Sequence, residues 1–471
     1  MTTRTETDPL GDLEVPADAL YGVQTQRAVE NFDISGIGPH PAFIWATVVI
    51  KKAAAIAHKR TGRLEANLAD VIVQAADEVL ADGLHQDQFV VDVFQAGAGT
   101  SHNMNANELL ANRANELLGG ERGAYAPVHP NDHVNMAQST NDIIPTAIAL
   151  AALKLLQDLY VSLDGLADAF DEKARDWDGI VKSGRTHLQD ATPVRLGQEF
   201  GAYAEAIRRD AAFIRDAEAQ VQELSLGGTA VGSGLNAEPE YQAEVIDVIA
   251  EVTGLDVRRA DNLFYSMQSM ARFAMLSGAL RALAIDLSRI ANDFRLLASG
   301  PRTGISELRL PALQPGSSIM PGKVNPVMAE CLNMVCFHVF GNDAAVQWAA
   351  EAGQLELNVM MPCIAYNLCQ SIEVLTNATR AFDTRAVRGL EVDDRMLRFW
   401  LERNTMLATA LAPRIGYAAA AEIAKEAVAT GEGVPEVAAR LTDIPPDELS
   451  AALDPTPMTE AGVRAGGGGG G

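Results

Sequence analysis

The sequence predicts a mainly α-helical fold built on long central helices, and three observations predict it. Apolar residues recur at steps of 3 and 4 rather than in alternation. Segment 263–299 contains no proline and a single glycine, Gly278. Pro and Gly gather in a few loops instead of punctuating many short strands. With 471 residues, 48% hydrophobic and 21% charged, the chain has room for two or three domains and a large core. That composition excludes a disordered protein.

From the N-terminus, residues 1–9 are polar and acidic, unlike a secretory leader, and no uninterrupted apolar run approaches the ~18 residues of a membrane span. A cytoplasmic protein is expected. Short apolar runs near the N-terminus could be strands, too few for a sheet-based fold. Residues 1–140 read as a mostly helical N-terminal domain ending in a Gly/Pro-rich loop over 119–133. Residues 141–392 read as a central long-helix bundle. Within it, Leu196, Phe200, Tyr203, Ile207, Ala211 and Ile214 form one helical stripe.

Segment 263–299 carries Met267, Met270, Phe273, Met275, Leu280, Leu283, Ile285, Leu287, Ile290 and Phe294 on more than one face, which predicts burial against other subunits. Further loops are expected over 226–239 and 301–326. After Leu390, Val392-Asp393-Asp394 introduces new helical patterns, read as a small C-terminal domain over 393–465. The glycines of 466–471 are read as a flexible tail.

A net charge of −25 argues against nucleic acid or an anionic membrane as partner. Arginine far outnumbers lysine, which fits a GC-rich genome or a salt-adapted proteome without choosing between them. Cys331, Cys336, Cys363 and Cys369 form no C-x-x-C pair and read as core thiols of a reducing compartment. That spacing also argues against an iron–sulfur centre.

Four polar segments stand out. Gly97-Ala98-Gly99-Thr100-Ser101-His102-Asn103-Met104-Asn105 offers glycines for close backbone approach and two hydroxyls. Taken alone it is a helix N-cap before the run 107–118. His129-Pro130-Asn131-Asp132-His133-Val134-Asn135 leads to Gln138-Ser139-Thr140-Asn141-Asp142, with three consecutive hydrogen-bonding side chains that could equally cap a helix. The histidines at i, i+4 resemble a metal pair, but Pro130 argues for a loop and no third ligand is evident. Ser183-Gly184-Arg185-Thr186-His187-Leu188-Gln189-Asp190-Ala191-Thr192-Pro193 precedes a long helix and makes His187 a candidate acid, base or substrate ligand.

The fourth is Gly316-Ser317-Ser318-Ile319-Met320-Pro321-Gly322-Lys323-Val324-Asn325-Pro326. Its glycines and prolines forbid regular structure, and its length suits a lid over a site. Lys323 is the only lysine between Lys182 and Lys425, a cation set apart for an anion. The phosphate-loop pattern fails because Val324 follows Lys323.

That fourth segment resembles the signature loop of the aspartase/fumarase superfamily, and the other three resemble its remaining site motifs in the same order. The likeness runs from Arg4 to about Ala461 and leans to the aspartase branch through Ser139-Thr140-Asn141 and residues 349–360. Met361, where aspartases carry an acidic residue, departs from that branch, and the stretch 407–424 resembles fumarase.

The resemblance implies a homotetramer whose central domains form a twenty-helix core, each site being shared by three subunits. It implies reversible anti-elimination of ammonia from L-aspartate to give fumarate, with no organic cofactor or catalytic metal. Ser317 is implied as general base. Thr100, Ser139, Thr140 and Ser318 would hold the carboxylate that becomes an enediolate, and Lys323 and Asn325 the other carboxylate. Asn141, Thr186 and His187 would surround the amino group, with Glu330 pairing His187. The alternatives are a class II fumarate hydratase and, remotely, a non-catalytic helical assembly.

Overall fold

A computed structural model describes residues 2–81 and 83–462; the glycine run of 466–471 lies outside the described residues. The fold is mainly helical. A hairpin of β1 (Thr3–Asp8) and β2 (Gly11–Pro16) opens the chain, in antiparallel register from Thr3↔Pro16 to Asp8↔Gly11. Helices α1 (Val23–Asn31), α2 (Pro41–Arg60), α3 (Ala66–Ala81), α4 (Thr100–Leu117) and α5 (Thr140–Asp176) follow. A second hairpin, β3 (Val181–Thr186) and β4 (Gln189–Arg195), precedes α6 (Leu196–Val221) and α7 (Pro239–Thr253). Then come α8 (Leu263–Gln268), α9 (Ala271–Leu297), α10 (Val327–Glu351), α11 (Met361–Phe382) and α12 (Asp394–Arg403), with further helices of up to 14 residues beyond.

Two compact units divide the chain. Among the described residues, unit one holds 2–81, 83–161, 210–285 and 335–377, and unit two holds 162–209, 286–334 and 378–462. In unit one, Ile44 and Val48 of α2 belong to one buried cluster with Leu68 and Ile72 of α3 and Leu109 and Leu110 of α4. Pro41 at the first position of α2 and His58, Lys59 and Arg60 in its last turn match what helix ends favour. In unit two, Phe170, Phe200, Tyr203, Phe294 and Phe382 pack as an aromatic cluster with ring centroids 5.0–6.4 Å apart. A separate apolar cluster, including Leu411, Ile423, Val437 and Leu449, holds the C-terminal helices together.

All six residues of the predicted α6 stripe are buried. Segment 263–299 departs from expectation, because it is two helices rather than one. Ser269 adopts an extended conformation and ends α8, and its hydroxyl accepts from the Ala271 N–H that starts α9. Of the apolar residues expected on several faces, Met275 and Ile285 are more than half exposed, and the others are buried. Helix α5 is long and apolar enough to cross a membrane by length and composition alone, but 72% of its most apolar window is buried inside the protein. Thr146 and Lys154 interrupt that run, so it reads as a core helix.

Candidate active site

On unit one the candidate residues stand at the starts of two helices. α4 begins at Thr100 itself, earlier than the expected run 107–118, because Gly99 turns the chain with φ +85° and serves as N-cap without a side chain. A Cβ on Gly99 would lie 2.9 Å from Ile144 of α5, so only glycine allows this approach. Thr100 is exposed in the first helical turn. One turn on, Asn103 Nδ2 donates to Thr140 Oγ1 at 3.2 Å and ties α4 to the head of α5.

Ser139 caps α5. Its N–H donates to Asp142 Oδ1 at 2.9 Å, while its hydroxyl accepts from the Asn141 N–H at 3.3 Å. Asn141 Nδ2 donates to Ala230 O at 2.7 Å. The other oxygen of Asp142 accepts from the Gly227 and Thr229 N–H groups, at 3.0 and 2.9 Å, so one buried carboxyl joins the Ser139–Asn141 turn to the glycine loop after α6.

Beneath this turn lies a polar network that sequence reasoning left unassigned. Lys51 on α2 is fully buried, and its ammonium donates to Asn135 Oδ1 at 2.8 Å and Gln138 Oε1 at 2.9 Å. Burial lowers Lys51 to about 7 and raises Asp142 to about 7; each charge partly offsets the other's desolvation, and backbone donors further favour the Asp142 carboxylate. His102 stacks on Phe43 and contacts Thr47, and burial pushes it down to about 3. The available signal was a lysine inside the apolar run of α2, since a buried lysine needs partners.

The two histidines weighed as a metal pair cap their own turn instead. His129 Nδ1 accepts from the Asn131 and Asp132 N–H groups, and His133 Nδ1 accepts from the His129 N–H. The segment Pro130–Val134 is a π-helical turn rather than a plain loop.

On unit two, Thr186 and His187 belong to a hairpin, β3–β4. Thr186 ends β3, and His187 and Leu188 form a two-residue turn with φ 57° and 58°. Both residues are exposed. At the hairpin's irregularity, a Cβ on Gly184 would sit 2.3 Å from the Thr192 carbonyl oxygen. Below the tip, Lys182 and Arg185 flank the buried Glu307 carboxylate at 3.0 and 2.8 Å.

The segment 316–326 folds as a closed loop. Gly316 N–H donates to Lys323 O at 2.8 Å, and Asn325 Nδ2 donates back to Gly316 O at 2.7 Å. Ser317 Oγ accepts from the N–H groups of Ile319 at 3.2 Å and Met320 at 2.9 Å. Ser317 and Lys323 line one cavity of about 440 Å³. Lys323, Asn325 and Glu330 line another of about 510 Å³. Ser318 and Lys323 are exposed. No ion pair joins His187 to Glu330 within one chain among the described residues. Chemically, these segments offer clustered hydroxyl and amide donors, an isolated ammonium, and a serine oxygen stabilised by two N–H dipoles.

Comparison with known proteins agrees over the whole length. The family described as "Lyase" matches residues 11–341, and "Fumarase C C-terminus" matches 407–460. The chain is 47% identical over 460 residues to an aspartate ammonia-lyase of Bacillus subtilis, covering 98% of this chain and 97% of that protein. It is 51% identical over 464 residues to a class II fumarate hydratase of Halobacterium salinarum, covering 98% of each. Among solved structures, a cobalt-bound "fumarate lyase:delta crystallin" from Brucella melitensis superposes with TM-score 0.94 at 47% identity, covering 98% of this chain and 100% of that one. A class II fumarase from Schistosoma mansoni superposes with TM-score 0.94 at 37% identity, covering 97% and 99%. A shared fold at that identity, with both ends of the chain matched by lyase sequence patterns, places the chain in the aspartase/fumarase superfamily of lyases.

Proposed function

We propose that this lyase is a cytoplasmic aspartate ammonia-lyase, which eliminates ammonia from L-aspartate to give fumarate and runs in reverse. The observation that carries the reaction class is the setting of Ser317, whose oxygen receives two backbone N–H bonds in a closed loop that also carries Lys323. Both features favour negative charge on that oxygen.

Ser317 removes the proton from the carbon beside one carboxylate, whose electrons pass into that carboxylate as an enediolate. Thr100, Ser139, Thr140 and Ser318 donate to it and spread the charge. Lys323 and Asn325 hold the second carboxylate. The enediolate collapses, the carbon–nitrogen bond breaks on the opposite face, and ammonia leaves from among Asn141, Thr186 and His187. Glu330 orients His187.

Two sequence features favour aspartate: Thr140 in the Ser139–Asn141 turn and the stretch 349–360; relatives of similar identity include both activities. The second reading is a class II fumarate hydratase, favoured by the Halobacterium relative and by the fumarase-like C-terminal stretch, with Met361 a departure from the aspartase pattern. Following fumarate absorbance with L-aspartate and, separately, with L-malate decides between them. Aspartate turnover supports the proposal, and turnover of malate alone overturns it in favour of the second reading.

The functional unit is a homotetramer with a twenty-helix core and shared sites. This is supported by α10, whose exposed residues Met334, Phe337, Gly341, Ala344 and Trp348 follow steps of 3, 4, 3 and 4. That is the spacing of a helix-packing seam.

A further inference from the structure

Unit two contains a further cavity, of about 970 Å³, which none of the candidate catalytic or substrate-binding residues lines. Its walls are the loop after α9 and the first turns of α12. The frame is tied across both walls. Trp400 Nε1 donates to Ile305 O at 2.7 Å, and the Asp393 N–H donates to Glu307 O at 2.9 Å. The loop is pinched at Gly304, where a Cβ would lie 2.5 Å from the Ser299 carbonyl group. These contacts hold the cavity open without a ligand.

Three arginines line it, Arg302, Arg309 and Arg395. Arg309 is paired with the buried Asp393 carboxylate at 2.7 Å, and Asp393 is also the N-cap of α12. The side chains of Arg302 and Arg395 make no hydrogen bond or ion pair with any described residue; Arg395 acts on Asp393 only through longer-range attraction. Both are exposed at the lining of one cavity, so in a chain of net charge −25 two guanidinium groups without carboxylate partners remain available to an anion. Arg395 also lies in the first turn of a ten-residue helix, where the helix end adds positive potential. On the next turn, Phe399 and Trp400 supply an aromatic wall.

We infer that this cavity binds a dianionic phosphate ester bearing a flat apolar group. Arg302 and Arg395 grip the phosphate, because a guanidinium fork matches two of its oxygens, and the Phe399–Trp400 wall receives the ring. The site adjoins the loop chemistry: Ser299, Pro301 and Arg309 line both this cavity and the one containing Lys323, Asn325 and Glu330. An occupant would therefore bear on the segment leading into the catalytic loop.

Calorimetric titration of the intact enzyme with phenyl phosphate, inorganic phosphate, phenol and succinate tests this independently of which substrate the enzyme turns over. Phenyl phosphate is expected to bind most tightly, inorganic phosphate at least several-fold more weakly, and phenol not measurably. Arg302→Gln with Arg395→Gln should weaken phenyl phosphate binding tenfold or more and leave basal turnover and melting temperature unchanged. Should that double variant be unstable, Arg302→Lys and Arg395→Lys keep the charge but lose the fork, and each should still weaken binding several-fold. The inference is overturned if phenyl phosphate does not bind, if the arginine variants bind it as wild type does, or if those variants weaken succinate binding as much as they weaken phenyl phosphate binding. It is equally overturned if Lys323→Ala, rather than the arginine variants, removes binding, since that would place the phosphate in the reaction site.

Discussion

Ser317 would be a poor base in water, and the proposed role rests on the two N–H groups, of Ile319 and Met320, that its oxygen accepts. Ser317→Ala should reduce turnover by about 10²–10⁴-fold while leaving substrate binding within a few-fold, read by steady-state kinetics and equilibrium titration. Turnover close to wild type would remove Ser317 from the role of base. His102 bears on stability instead. Its pKa of about 3 lies below the ordinary histidine value, so the fold favours the neutral ring. That stabilisation is fully present above about pH 6.5 and is lost as pH falls towards 3, at roughly 1.4 kcal/mol per pH unit. Between pH 6 and pH 4, the urea midpoint of wild type should therefore fall more steeply than that of His102→Gln. Parallel slopes would show that His102 does not carry this linkage.

At the scale of elements, the hairpin that carries Thr186 and His187 depends on Gly184. Ala at this position would meet the Thr192 carbonyl oxygen at 2.3 Å, so the strand must shift. Gly184→Ala is expected to cost about 1–3 kcal/mol and to lower activity by displacing the hairpin tip. Gly179→Ala, with nothing within 4 Å of its added carbon, is the matched control, and thermal melts with activity assays compare them. Equal behaviour of the two variants would refute the steric argument. The same hairpin shows why parts of the site were hard to read. His187-Leu188 is not the Asn-Gly pair that normally marks such a turn, and both residues hold φ near +57° at a cost of about 1–2 kcal/mol each. The start of α4 was hidden for a related reason, since its cap is a left-handed glycine rather than a hydroxyl. The α6 stripe was legible because burial of one helix face leaves a regular period in sequence.

For the whole molecule, the exposed seam of α10 predicts association. Phe337→Asp with Trp348→Asp should convert the assembly to smaller species with retained helicity and lost activity, measured by sedimentation velocity, circular dichroism and turnover. An unchanged sedimentation coefficient would exclude this seam as the subunit contact. Within the single chain, the described candidate residues fall into separate sets: Thr100, Ser139, Thr140 and Asn141 on unit one, and Thr186, His187, Ser317, Ser318, Lys323, Asn325 and Glu330 on unit two.

The sequence by itself determined the helical class, the superfamily and the chemical character of the loop 316–326, because periodicity and local motifs survive in one dimension. Only the tertiary structure decided that Ser317 receives two N–H bonds, that 263–299 breaks at Ser269, and that Lys51 lies buried beneath the Ser139–Asn141 turn. It alone brought Arg302 and Arg395 to one cavity. These are relations between residues distant in sequence or settings of individual backbone dihedrals, and they arise only when burial forces polar groups to find partners across the fold.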